Sequence, residues 1–329
     1  MKTMKWLIRR EFWEHKGAFL WAPLALSGVM IFFLFITLAI GNNLKNVDFN
    51  YVHNGQDGAP ATQAVHIGGD VSQAFIEKMA HIVGDNYMWF STPIFIMAAL
   101  IIFFYCLNAL YDERRDRSIL FWKSLPISDS MTVVSKIAMA LVGVPLITIG
   151  VAFLTSLLGL LMGCIALSIR GINVFGLVFT TPAVYLAPFE ILGVLPVYLL
   201  WALPTVGWLL MVSCWARSKV FLWAVGIPLL SIVLLLWAEK MFRFGLDIGW
   251  YTKNIVARLL FSVVPGGWMH IAMNGEDQAL NLGHGGMDLT KLLEQSWTAL
   301  GNIELWVGAV AGVIMIGIAI YLRRWREEN

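Results

Sequence analysis

Six stretches of this chain, 22–40, 89–110, 133–167, 188–215, 220–237 and 303–322, are apolar for long enough to cross a bilayer as helices. A hydrocarbon core about 30 Å thick asks for roughly 20 apolar residues per helical crossing. Nothing of that kind fits inside an ordinary soluble domain, and the composition agrees. Hydrophobic residues make up 59% of the chain and charged residues 13%, with a mean hydropathy of +0.73, well beyond a soluble average. The predicted fold class is therefore an all-α polytopic membrane protein with six transmembrane helices. The third stretch is too long for one perpendicular crossing and is expected to tilt, to extend beyond the bilayer, or to break near Gly143 and Pro145. Between residues 168 and 188 the chain is apolar but interrupted by Gly171, Gly176 and Pro182, which suits a short re-entrant or interfacial piece.

Residues 1–20 read as a separate interfacial helix. Met4, Ile8 and Phe12 recur every four residues with Leu7 beside them, while Lys5, Arg9, Arg10 and Lys16 supply anchors for anionic lipid heads. Trp6 and Trp13, seven apart, suit the headgroup layer. Residues 21–329 then form a single six-span domain with long outer loops at 41–88 and 238–302. Orientation follows from the basic residues: with both termini in the cytoplasm, 15 of the 23 Lys and Arg lie on the cytoplasmic side. A cleavable signal peptide is not expected, because the amino terminus is rich in charge and the first apolar run continues without an A-x-A site. Cys106, Cys164 and Cys214 lie in apolar runs without paired spacing, so they read as small buried hydrophobes.

The segment at 111–130, between the second and third spans, holds seven charged residues from Asp112 to Lys123. Ile119, Leu120, Phe121 and Trp122 form a compact apolar plug within it. Arg114, Arg115, Arg117 and Lys123 flank the plug and could pair with acidic groups on a soluble partner. A solvated, positive-inside loop would also be basic, but has little use for four successive large apolar residues. Pro126 ends the local structure, and Ser128 is placed to cap the helix that follows.

With its interfacial helix, six spans, charged turn and long outer segment before the last span, the whole chain resembles the permease subunit of an ABC-2 type ABC transporter. The most specific part of the resemblance is Asp112-Glu-Arg-Arg-Asp-Arg-Ser-Ile-Leu-Phe-Trp-Lys-Ser-Leu-Pro126, similar to the coupling-helix stretch of that family. The resemblance implies an ATP-driven exporter in a bacterial inner membrane. It further implies a separate nucleotide-binding ATPase subunit docked on 111–130, a homodimer or a pairing with a related permease, and an external gate built from re-entrant helices before the last span. In keeping with that division of labour, no G-x-x-x-x-G-K-[ST] phosphate loop occurs. ATP and Mg²⁺ are accordingly expected on the partner and no cofactor on this chain.

Candidate sites within the membrane are sparse. Tyr105 and Asn108 in the second span, and Arg170 and Glu190 near the outer ends of the third and fourth, are the residues considered for a pathway or gate. The spacing H-x-x-x-D occurs at His66–Asp70 and His284–Asp288, but the intervening glycines argue against a metal site, and none is expected. Catalytic residues are not expected either: H-E-x-x-H is absent, and no span holds acidic or histidine pairs, which speaks against an intramembrane enzyme. A membrane scaffold or sensor that recruits an ATPase without moving a solute is the remaining alternative. Besides lipids, a protein partner is expected, but not nucleic acid. With few fixed charges in the spans, an apolar or amphipathic cargo is easier to accommodate than a highly charged one.

Overall fold

The computed structural model of the chain describes residues 2–41, 48–54, 60–66, 83–84, 86–116, 128–169, 171–269 and 289–325. Apart from one short hairpin its architecture is helical, with six helices long and apolar enough to cross a membrane. A short amphipathic helix α1 (Lys2–Glu14) leads into the first span, α2 (Gly17–Ile40). The second and third are α3 (Tyr87–Arg115) and α4 (Asp129–Ile169). The short helix α5 (Phe175–Thr180) precedes the fourth span, α6 (Val184–Trp215), and the fifth, α7 (Val220–Phe242), follows at once. A broken helix α8 covers Ile248–Tyr251, a π-helical turn Thr252–Val256 and Ala257–Phe261. Finally α9 (Leu289–Thr298) precedes the sixth span, α10 (Ile303–Trp325).

Several boundaries differ from their sequence expectation. The interfacial helix stops at Glu14 rather than near residue 20, because a π-helical turn, Gly17–Trp21, swings the chain directly into the first span. The third span starts at Asp129 instead of 133, since the Ser128 side chain caps it by accepting from the Met131 amide. It continues unbroken to Ile169, and at about 1.5 Å per residue its 41 residues outrun a bilayer core. The expected weak point is present as a π-helical turn, Met139–Gly143, just before Pro145. The loop after the first span carries an antiparallel hairpin of β1 (Asp48–Asn54) and β2 (Pro60–His66) that hydropathy gave no reason to expect.

Helix α6 is the hub of the bundle, packing against α3, α4, α7, α8, α9 and most extensively α10. Its Val197, Ala202, Val206, Leu209 and Leu210 are buried in the main core cluster. Three prolines, Pro188, Pro196 and Pro204, lie inside it; helices in apolar surroundings tolerate them when neighbours cover the freed backbone. At Pro204 that neighbour is Gly312 of α10. A Cβ placed on Gly312 would stand 2.5 Å from the Leu203 carbonyl carbon, and one on Gly207 would stand 2.5 Å from the Gly312 oxygen. Backbone therefore meets backbone, the close approach that small residues permit between membrane helices. By contrast α2 and α7 are scarcely buried, with Phe32, Phe33, Phe35, Leu230, Val233 and Leu234 all exposed.

Before the last span lies α8, and a few residues beyond its end Gly266 turns the chain at φ +87, a conformation that side-chain-bearing residues rarely adopt. Polar contacts fix this region to the hub: the Thr205 hydroxyl donates to the Arg258 carbonyl at 2.8 Å, and Tyr198 donates to the Val263 carbonyl at 3.1 Å. The Arg258 side chain lies over the Trp201 ring, 4.3 Å from its centre, and donates to the Glu304 and Leu305 carbonyls at the start of α10.

Candidate functional site

At the end of the bundle that carries both termini, four helices converge on a set of buried charges. Helix α1 contributes Glu11, fully buried one turn after buried Leu7. The stripe turned inward thus centres on Leu7 and Glu11, with Ile8 and Phe12 packed on its edge. Trp6 and Trp13 remain exposed. Helix α3 contributes Tyr105 and Glu113, α4 contributes Asp129 and Lys136, and α10 contributes Arg323.

The contacts form one continuous chain. Lys136 Nζ lies 3.0 Å from Glu11 Oε1 and 3.0 Å from Glu113 Oε1. Glu113 Oε2 accepts from Arg323 Nη1 at 2.8 Å, and Arg323 Nε donates to Asp129 Oδ1 at 3.1 Å. At the other end Arg10 donates to Glu11 Oε1 at 2.6 Å, and the Tyr105 hydroxyl donates to Glu11 Oε2 at 2.8 Å. Three carboxylates face three cations, so the knot is neutral as a whole, which a low-dielectric site requires. Burial by itself would raise the Glu11 pKa; Lys136 and Arg10 outweigh it and hold this carboxyl below its ordinary value. His15, half-buried one turn later against the rings of Phe19 and Tyr105, is pushed below its ordinary value by burial, despite Glu11 nearby, and is neutral at pH 7.

The charged turn begins from this knot. At Leu110 and Tyr111 the helix restarts, and both amides donate to the Ser213 hydroxyl of α6. Arg114 was expected to face a partner, but its guanidinium folds back and donates to the Ser213 and Ala216 carbonyls at 2.6 and 2.9 Å. Those are end-of-helix carbonyls of α6, which need donors from outside their own helix. Arg115 does point outward. Arg117, Ile119, Leu120, Phe121, Trp122 and Lys123 lie outside the described residues, as does Arg170. Glu190 sits at the far end of the bundle, where its carboxylate accepts from the Thr290 hydroxyl at 2.9 Å, away from the knot. Among the described residues no group of three or more metal-ligating side chains occurs; the H-x-x-x-D pairs fall largely outside them.

Beside the knot, between the bend of 14–19 and α3, opens a cavity of about 550 Å³. Tyr105 and Asn108, the two pathway candidates of the second span, both line it, as do His15, Glu113 and Lys136. No protein-family model, curated protein or solved structure matches the chain, so functional argument rests on this geometry and on the sequence.

In the sequence Lys136 is one of the basic residues that set orientation, whereas Glu11 carries no such signal. The available signal was a single lysine just inside the longest apolar run. An ionisable group in that position calls for a partner of opposite sign.

Proposed function

We propose that this chain is the membrane-spanning subunit of an ATP-driven ABC exporter, with both termini and the 111–130 segment in the cytoplasm and the ATPase on a separate polypeptide. One observation carries the reading beyond the resemblance: both ends of the charged turn are tied into the bundle. Its start is held by Glu113 in the knot and by Arg114 on α6. Its end is held by Asp129, through Arg323 of the last span. A push delivered to residues 117–127 therefore reaches α1, α4, α6 and α10 together. That is what a subunit needs if it is moved as a rigid body by closure of a partner. A loop that merely dips into the interface has no use for such anchoring.

The test is isolation of the tagged chain from its native membrane, followed by Phe121→Ala. An ATPase subunit is expected to co-purify in fixed proportion, and ATP is expected to drive transport in vesicles. Replacing Phe121 is expected to weaken the pairing by about 2 kcal/mol, the scale of an interface anchor, and to leave insertion intact. A pure wild-type complex without an ATPase, or undiminished pairing in the variant, refutes docking at this segment. An ATPase that co-purifies without any transport favours the scaffold reading.

A further inference from the structure

We infer that the cavity beside the ion-pair knot binds a single-chain amphiphile with a cationic head group. As the cargo of the exporter proposed above, this ligand class rests on that reading, whereas the binding itself does not.

One stripe of α3 forms a wall of the cavity. Met97, Leu100, Ile101, Phe104, Tyr105, Asn108, Asp112, Glu113 and Asp116 all line the cavity and recur three and four residues apart, so they share one helix face. Along it the chemistry changes in one direction, from purely apolar at Met97 through Phe104 to acidic from Asp112 onward. The face spans about 28 Å at 1.5 Å per residue. The bend contributes both characters as well, with apolar Ala18 and Phe19, the latter against the Tyr105 ring, and acidic Glu14. The cavity is thus long, two-toned and sized like a small-molecule site, which typically encloses about 300–1,000 Å³.

The sign of the head group follows from the lining charges. Among the described residues four carboxylates, Glu14, Asp112, Glu113 and Asp116, border the cavity against one ammonium, Lys136, with Arg10 3.6 Å from Glu14. Lys136 is 3% exposed and already shared between Glu11 and Glu113, so it has little to offer an anion. His15 is uncharged at neutral pH. An ammonium head can instead sit among Asp112, Asp116 and Glu14 while its chain lies along Phe104, Leu100 and Phe19. Phe104, stacked on Phe221, stands at the junction of the two halves and closes the apolar one. Anionic amphiphiles meet repulsion at the same point.

The experiment uses the full chain in nanodiscs and two photoreactive probes of equal chain length: a diazirine-bearing dodecyltrimethylammonium and a diazirine-bearing dodecyl sulfate. Adducts are mapped by mass spectrometry. The cationic probe is expected to label 97–116 saturably, with competition by unlabelled dodecyltrimethylammonium. Asp112→Asn with Asp116→Asn is expected to weaken that labelling about tenfold, the combined weight of two solvent-accessible charge contacts. Because both side chains are exposed and outside the knot, the melting temperature of this variant should match the wild type. Leu100→Trp, which fills the apolar half, should abolish labelling. Non-saturable labelling, equal labelling by the sulfate probe, or an unchanged affinity in the double variant overturns the inference. Saturable labelling of a chain that pairs with no ATPase removes the exporter reading alone. An ATPase-coupled chain without labelling removes this inference alone.

Discussion

Removing both charges of the knot's central pair should destabilise the protein by less than the two single removals added together. Glu11 is fully buried and Lys136 nearly so. In Glu11→Gln the remaining set has two carboxylates against three cations, and a buried positive charge goes uncompensated. Breaking a buried pair from one side costs about 3–5 kcal/mol. The lower end applies here, because Lys136 keeps Glu113 at 3.0 Å. Lys136→Met leaves the opposite imbalance and takes a cation from both Glu11 and Glu113, so its cost should sit at the upper end of about 3–5 kcal/mol. The double variant restores neutrality, and groups in one network couple by about 0.5–3 kcal/mol. It should therefore be more stable than the sum of the singles by about 2 kcal/mol, within that range. Thermal unfolding of the purified chain in detergent reads all four corners of the cycle. At about 2 °C per kcal/mol for a chain of this size, the singles should melt roughly 6–10 °C low. Singles within 2 °C of wild type, or a double that simply adds them, would refute the assignment of this cluster as one cooperative unit.

Two pH steps follow from groups outside the spans. His15 has a depressed pKa when folded, so the unfolded chain binds the proton first. Stability should fall as pH drops below 6.5 and level off once the folded His15 also protonates, a step that His15→Gln removes. Glu11 is likewise depressed; its contribution is complete above 4.5, is lost as pH falls through the folded value, and should vanish in Glu11→Gln. At the hub, Gly312→Ala should cost about 1–3 kcal/mol by overpacking against Leu203, whereas Gly317→Ala, whose added carbon meets nothing within 4 Å, should melt with the wild type. Topology can be read with an impermeant thiol reagent, since Cys106, Cys164 and Cys214 are buried. Cysteines at Arg115 and Ser218 should react from one side and those at Asn173 and Leu246 from the other; a shared side for all four would overturn the six-span arrangement.

The spans were legible because length and apolarity are local properties. Their ends were less so: Asp129, Ser130 and Thr132 are polar enough to read as loop, yet they continue the third span because a capped helix can carry polar residues beyond the apolar layer. The knot was beyond reach for a different reason. Tyr105 and Lys136 meet Glu11 from 94 and 125 positions away, and Arg323 meets Glu113 from 210. No periodicity links residues so far apart. Arg114 misled in a similar way, since a basic residue in a charged turn looks the same in sequence whether it faces a partner or closes the end of a neighbouring helix.

The glycine contact between α6 and α10 has a mechanical consequence. Side chains that interdigitate can slip by changing rotamer, but two backbones in contact have nothing between them to rearrange. The fourth and sixth helices therefore move as one post, and Arg258 rivets α8 to it at the end opposite the knot. Any motion that opens this protein must be taken up around that post. The helices with the least to break are α2 and α7, whose exposed faces leave them hinged to the bundle along narrow seams.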